Sequence, residues 1–92
     1  MKISNFLLHG QDNAVPLRYL IQITGIDGRT IRQMIAIERK AGIPILSDNM
    51  NGYYLPASSV EVTNFVRSMR SRAHEIITAA EAVEKARGQF GE

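Results

Sequence analysis

Apolar residues recur with helical spacing in two adjacent segments near the start of the chain. Residues 17–24 follow the i, i+3, i+4, i+7 pattern of an amphipathic helix, with one face made of Leu17, Leu20, Ile21 and Thr24. A second helix is predicted over 28–41, with a core-facing side made of Ile31, Met34, Ile35 and Glu38. A short first helix is expected over 3–8.

The residues between the two main helices favour a tight turn. Gly25 stands where a helix C-terminus favours a left-handed residue, and Asp27 is a preferred N-cap for the helix that follows. Pro16 fits the first turn of the earlier helix, because no N–H is needed there. Tyr19 and Ile23 form a second apolar pair, which we expect to cover the first helix or the C-terminal one.

Two residues of the second helix break its pattern. Glu38 lies on the core-facing side, where an apolar residue is expected, so we predict it at the edge of the core, paired with an arginine such as Arg18. Ile37 lies away from that side and is predicted to be an exposed apolar residue.

A β-hairpin is predicted after the second helix. Its strands cover residues 43–46 and 53–55, and residues 48–52 form the loop, in which Asn-Gly is the strongest short hairpin signal. Residues 14–16 should be extended, because a residue before proline avoids the α region.

The last third of the chain is predicted to be one long helix over 58–88. Ser58 and Glu61 resemble a capping box, and neither glycine nor proline follows until Gly88. About 29 helical residues span roughly 43 Å, whereas a compact chain of this size has a radius of gyration of about 12 Å. The helix should therefore overhang its own domain.

One stripe of this helix repeats at alternating four- and three-residue steps, as in a coiled coil. It is made of Val62, Val66, Met69, Ala73, Ile76, Ala80 and Val83. We expect the stripe to form a homodimer, with the two helices either parallel or antiparallel. Residues 89–92 are predicted to be a disordered tail.

Composition narrows the class of protein without identifying it. Ninety-two residues fit one domain, and a net charge of +2 does not by itself indicate nucleic acid, although eight of the eleven basic residues are arginine. Cysteine is absent, which excludes disulfides and thiolate metal sites.

The first residues lack the long apolar region of a signal peptide, and no stretch approaches the roughly 20 apolar residues of a membrane span. A cytoplasmic protein is therefore expected.

The order and spacing of these elements resemble the winged helix-turn-helix of the N-terminal domain of the biotin operon repressor and related transcription factors. The residues that carry the resemblance are Leu17, Leu20, Thr24-Gly25-Ile26, Arg29-Thr30-Ile31-Arg32, Gly42-Ile43-Pro44-Ile45 and Gly52-Tyr53-Tyr54-Leu55-Pro56. With its long C-terminal helix, the whole chain is similar to small winged-helix proteins of phage and mobile elements in Firmicutes. The fold class expected is α+β, mostly α: a three-helix core with a hairpin wing over 1–57, then the helix over 58–88.

The resemblance implies that helix 28–41 lies in the major groove of DNA and that the wing tip touches the backbone or the minor groove. The residues that would then contact DNA are Arg18, Arg29, Thr30, Arg32, Gln33, Lys40, Asn49 and Asn51. For Arg18 a structural pair with Glu38 remains an equal alternative, and Lys40, like Arg39, can instead meet carbonyls at the helix end or stay in solvent. The wing has no Lys or Arg, which weakens the case for strong wing binding.

The remaining candidate binding residues are the arginines of the long helix and the two histidines. Arg67, Arg70 and Arg72 form a basic band that either meets flanking DNA or pairs with glutamates of the same or another chain. The two histidines are far apart and have no third ligand nearby, so no metal is expected, and no catalytic motif, cofactor site or small-molecule site is evident. The sequence thus predicts a sequence-specific double-stranded DNA-binding regulator of bacterial or phage type that acts as a dimer. The alternative is a winged-helix module for protein–protein interaction or phage replication.

Overall fold

The computed structural model describes residues 1–91. It contains three α-helices and a two-stranded antiparallel hairpin, which confirms a mostly helical α+β fold. The elements are α1 (Leu17–Thr24), α2 (Gly28–Lys40), β1 (Leu46–Asp48), β2 (Gly52–Tyr54) and α3 (Ser59–Glu84), and short 3-10 segments cover Ile3–Phe6, Gln11–Asn13 and Lys85–Phe90.

The turn between α1 and α2 forms where the sequence predicts it. Gly25 adopts the left-handed conformation, with φ of 72°, and its N–H donates to the carbonyl of Ile21. Asp27 occupies the N-cap position of α2, but its side chain makes no capping hydrogen bond, so the expected side-chain cap is wrong. The Thr24 hydroxyl instead accepts the N–H of Ile26 at 3.1 Å and holds the turn together.

The core lies between α1, α2, the N-terminal segment and the start of the hairpin. Its fully buried members are Ile3, Leu20, Ile31, Ile35 and Ile45. Four of the five are isoleucines, two from α2 and one each from the N-terminal segment and the residue before β1. Most of the core therefore consists of β-branched side chains that have few rotamers to lose.

The predicted first helix over 3–8 is wrong in type and length. The chain makes only one 3-10 turn, Ile3–Phe6, and its backbone is held by a side chain 35 positions away. The Glu38 carboxylate accepts the N–H of Ile3 at 2.7 Å and that of Ser4 at 3.0 Å. Glu38 is only 7% exposed, and these backbone bonds replace the predicted pair with Arg18, which is not formed.

The short N-terminal segment leaves one side of α1 uncovered. Tyr19 is 48% exposed and Ile23 is 41% exposed, so the prediction that another helix covers this pair is wrong. The one helix that α1 contacts extensively is α2, and neither the 3-10 turn nor α3 covers these two side chains.

The hairpin and the segment before α1 form one small sheet-like unit. In the hairpin Leu46 pairs with Tyr54, and Asp48 pairs with Gly52. The predicted extended segment is confirmed, because Val15 and Tyr53 exchange two backbone hydrogen bonds of 2.7 and 2.9 Å. Gly52 has a φ of 114°, and a Cβ there would lie 2.2 Å from the Val15 carbonyl oxygen, so this close approach requires glycine.

The long C-terminal helix projects from the rest of the molecule. Its N-cap is Ser58, whose hydroxyl accepts the N–H of Glu61 at 3.3 Å. The Glu61 carboxylate accepts the N–H groups of Ala57 and Gln11 instead of that of Ser58, so only one of the two bonds of the predicted capping box is formed. The Cα radius of gyration is 17.0 Å and the longest dimension is 53 Å, which confirms the overhang. The α-helix ends at Glu84 rather than residue 88, and a 3-10 segment, Lys85–Phe90, follows. Of the predicted tail 89–92, residue 92 lies outside the described residues.

Candidate nucleic-acid interface

The outward side of α2 carries polar and cationic side chains, with Ala36 and Ile37 exposed among them. The helix is strongly amphipathic: Ile31, Ile35 and Glu38 are buried on its inner side. All five predicted contact residues of this helix are exposed on the other sides, and they are Arg29, Thr30, Arg32, Gln33 and Lys40. We call these five residues the α2 face.

The α2 face is positively charged because the carboxylate of Glu38 points inward, away from it. Glu38 is the only carboxylate within α2, and its charge is taken up by two backbone N–H groups inside the domain. Within residues 1–91 the one ion pair closer than 4.0 Å joins Arg87 to Glu84. The arginines and the lysine of the α2 face therefore have no acidic partner in the described part of the chain.

One end of the α2 face borders a cleft beneath the hairpin. The cleft has a volume of about 350 Å³, and Arg32 lines it together with the hairpin residues Asn49 and Asn51 and the start of α1. The fold thus brings Arg32 and the two predicted wing-tip residues to one place. Arg18 is exposed on the first turn of α1, outside this cleft, as are Arg29, Thr30, Gln33 and Lys40.

The Asp48 carboxylate holds the hairpin loop in its conformation by accepting hydrogen bonds within it. Asp48 accepts the N–H of Met50 at 3.0 Å, the N–H of Asn51, and the Asn51 side-chain amide at 3.2 Å. Partial burial raises the pKa of Asp48, but the hydrogen bonds from Asn51, Gln11 and Met50 outweigh it and bring the pKa below its ordinary value. The loop therefore carries an ionised carboxylate, and the Asn51 amide is already engaged within it.

Arg39 has a structural position that the sequence did not predict. It is half-buried, its Nε donates to the carbonyl of Ile45 at 2.7 Å, and one of its terminal nitrogens donates to the Ser47 hydroxyl at 3.2 Å. Its guanidinium also lies 5.0 Å from the ring centroid of Phe65 in α3. Burial lowers the pKa of Arg39 from its ordinary value. The side chain joins α2, β1 and α3.

The basic band of α3 is exposed, and its arginines are not paired with glutamates. Arg67, Arg70 and Arg72 have no carboxylate within 4.0 Å among the described residues, so the intrahelical pairs considered from the sequence are not formed. Glu61 instead accepts the N–H of Ala57 at 2.8 Å and the N–H of Gln11 at 3.0 Å. These two bonds lower the pKa of Glu61.

Among residues 1–91, no group of three or more His, Cys, Asp or Glu side chains is placed to hold a metal ion. No helix in the same range is both long enough and apolar enough to cross a membrane. Compared with protein-family models, with curated proteins and with solved structures, the chain matches none.

Proposed function

We propose that this protein is a winged helix-turn-helix protein that binds double-stranded DNA with sequence specificity and regulates transcription in the cytoplasm of a bacterium or on a phage genome. In this proposal α1 and α2 are the helix-turn-helix and α2 lies in the major groove. The hairpin is the wing, and the Val15–Tyr53 pairing adds its third strand.

The observation that carries the proposal is the α2 face. A helix fits the major groove only if one long side is free of packing against its own domain. The outward residues of α2 are exposed along its length, and its single carboxylate faces inward. Two arginines and one lysine therefore project where phosphates and base edges would lie.

The side chains of the α2 face have the chemistry for both positioning and readout. Arg29 and Arg32 can bind guanine O6 and N7 or phosphate, and Gln33 can bind adenine N6 and N7. Thr30 suits a phosphate or a thymine methyl, and Lys40, nearer the helix end, suits a phosphate. Arg18, exposed on the first turn of α1, would make the backbone contact that the first helix of such a motif makes.

The hairpin contributes less than the helix in this proposal. It has no lysine or arginine, and its Asp48 carboxylate would repel phosphate unless the loop stays at a distance. Asn49 remains available as a donor, whereas the Asn51 amide is partly used by Asp48. We therefore assign specificity to α2 and only neutral contacts to the wing tip.

Dimerisation through α3 completes the proposal. The stripe residues Ile76 and Val83 are 70% and 73% exposed, and a second copy would cover them. Two α2 faces would then engage two half-sites of a palindromic or pseudo-palindromic target, with the second site bound at high effective concentration. This arrangement lets a domain of low net charge bind DNA usefully.

A second candidate function is a protein-interaction module, for example in phage replication, and an apolar groove beside α2 favours it. The groove, of about 340 Å³, has five apolar and two charged lining residues, and they are Met1, Met34, Ile37, Ala41 and Ile43 with Lys2 and Glu38. Ile37 is 67% exposed, and an exposed apolar patch of this kind suits a protein partner better than DNA.

Fluorescence anisotropy with random-sequence duplexes at two salt concentrations tests the proposed function. The wild type should bind, and its affinity should fall as salt rises, because phosphate contacts release counterions. The variant Arg29→Ala/Arg32→Ala should lose at least about tenfold in affinity, since each good side-chain contact to DNA is worth roughly 1–3 kcal/mol.

A charge-matched control separates the α2 face from overall charge. The variant Lys85→Ala/Arg87→Ala also removes two positive charges, but from the far end of the C-terminal segment. This variant should bind DNA as the wild type does. Equal losses in both variants would indicate nonspecific attraction. Absence of binding at low salt would refute DNA binding and favour the interaction module.

A further inference from the structure

The stripe on α3 alternates between large and small side chains in its C-terminal half. Met69, Ile76 and Val83 recur every seven residues, and Ala73 and Ala80 stand between them. All five are exposed in the isolated chain. The stripe is about a quarter turn away from the side on which Phe65 and Glu61 contact the rest of the domain, so a second helix can reach it.

The alternation of sizes distinguishes two ways of pairing this helix with a second copy. In a parallel pair each stripe residue faces its own equivalent. Ala73 would then face Ala73 between the Met69 and Ile76 layers, and Ala80 would face Ala80 between the Ile76 and Val83 layers. Both alanine layers would be underfilled. An antiparallel pair can place a large residue against an alanine, and such packing fills the space evenly.

The charges of α3 are divided between its two halves. From residue 62 to residue 74 the helix carries three arginines and no carboxylate, and they are Arg67, Arg70 and Arg72. From residue 75 to residue 84 it carries three carboxylates and no lysine or arginine, and they are Glu75, Glu81 and Glu84. A parallel pair would align like charges, whereas an antiparallel pair would lay the basic half of each helix along the acidic half of the other.

We infer that two copies of this chain pair through antiparallel α3 helices, centred between residues 74 and 75. Ala73 then packs against the partner's Ile76, and Ala80 packs against the partner's Met69. Val66 meets the partner's Val83 at either end of the contact. This register keeps every stripe residue from 66 to 83 within the α-helix, which ends at Glu84.

This arrangement specifies the orientation of the dimer that the proposed function requires. The two domains emerge at opposite ends of the paired helices. About 15 residues separate the centre of the contact from the start of each α3, or roughly 22 Å, so the α3 N-termini lie roughly 44 Å apart. The two α2 faces therefore belong to well-separated half-sites.

Cysteine cross-linking of the full chain tests the orientation, because the natural chain has no cysteine. Val66→Cys and Val83→Cys are prepared separately, then mixed and oxidised without DNA. The antiparallel register brings residue 66 of one chain to residue 83 of the other, so the mixture should give a mixed disulfide dimer, and each variant alone should give none. Disulfide dimers that form in each variant alone as efficiently as in the mixture would overturn the inference, because parallel helices bring identical positions together.

Sedimentation equilibrium shows whether the dimer exists. Ile76→Glu would bury a carboxylate in the contact and should weaken self-association at least about tenfold, whereas Val60→Glu changes an exposed residue off the stripe and should have no effect. A wild type that is monomeric throughout would overturn the inference, as would a dimer that gives no mixed disulfide. Neither measurement uses DNA, so an antiparallel dimer without DNA affinity would refute only the proposed function, and a monomer that binds DNA would refute only the dimer.

Discussion

Glu38 supplies the hydrogen bonds that fix the N-terminal segment on the domain. Its carboxylate is buried, and it accepts two backbone N–H groups that no helix or strand would otherwise satisfy. A buried N–H without an acceptor costs about 1–3 kcal/mol. The Glu38 side chain therefore supplies the acceptors that this short segment cannot supply from its own backbone.

We predict that Glu38→Ala lowers the free energy of unfolding by about 2–4 kcal/mol, because two donors lose their acceptor and a small cavity forms. Glu38→Gln keeps an acceptor oxygen and should cost clearly less. Urea denaturation followed by circular dichroism measures both variants. Equal stability of Glu38→Ala and the wild type would contradict this assignment.

Gly52 is the other residue whose identity is set by its surroundings. We predict that Gly52→Ala destabilises the protein by more than about 2 kcal/mol, because the new Cβ would meet the Val15 carbonyl and the backbone is left-handed. Gly25→Ala is the matched control: its φ is also positive, but nothing lies within 4 Å, so about 1 kcal/mol is expected. Thermal unfolding measures both variants. Equal losses of stability in the two would contradict the role assigned to the Val15 carbonyl.

At the scale of elements, local signals predicted some boundaries well and others poorly. Helix α1 has its predicted limits, because apolar spacing and Gly25 act within a few residues. The first helix was predicted wrongly, since its single turn depends on Glu38, 35 positions away. Arg39 was not recognised as structural for a similar reason: its place on α2 is visible in the sequence, but its contact with Phe65 requires knowing how α3 packs.

Arg39 and Phe65 join the hairpin, α2 and α3, and a double-mutant cycle measures their coupling. With Arg39→Met and Phe65→Leu, we predict a coupling free energy of about 0.5–1 kcal/mol, the usual range for a cation over an aromatic ring. Urea denaturation of the two single variants and the double variant gives this value. Strict additivity would show that the ring does not interact with the charge.

The carboxylates of Asp48 and Glu61 make the hairpin loop and the start of α3 sensitive to acid. Both pKa values are lowered in the folded chain, so their contribution to stability is fully present above the unfolded pKa of about 4 and is lost as pH falls through the lower folded pKa. Asp48→Asn/Glu61→Gln should therefore lose less stability than the wild type between neutral pH and about pH 3. If the variant and the wild type lost the same stability over this pH range, the two carboxylates would not be the cause of the acid sensitivity.

At the scale of the whole molecule, the extended shape follows from one long helix on a small domain. The sequence predicted this overhang, because helix length depends on local spacing and on the absence of breakers, whereas the radius of a compact domain depends on chain length alone. The exposed α2 face was predicted from its amphipathic pattern. What sequence could not predict is how the hairpin loop uses Asn51, since that depends on the orientation of Asp48.

If α2 is the surface that binds DNA, as we propose, NMR mapping should locate the contact there. Amide resonances of the ¹⁵N-labelled protein are followed while a random-sequence duplex is added at low salt. We predict that the largest shifts fall on residues 28–40, with smaller ones at the start of α1 and at the hairpin loop. Shifts confined to α3, or no shifts at all, would contradict it.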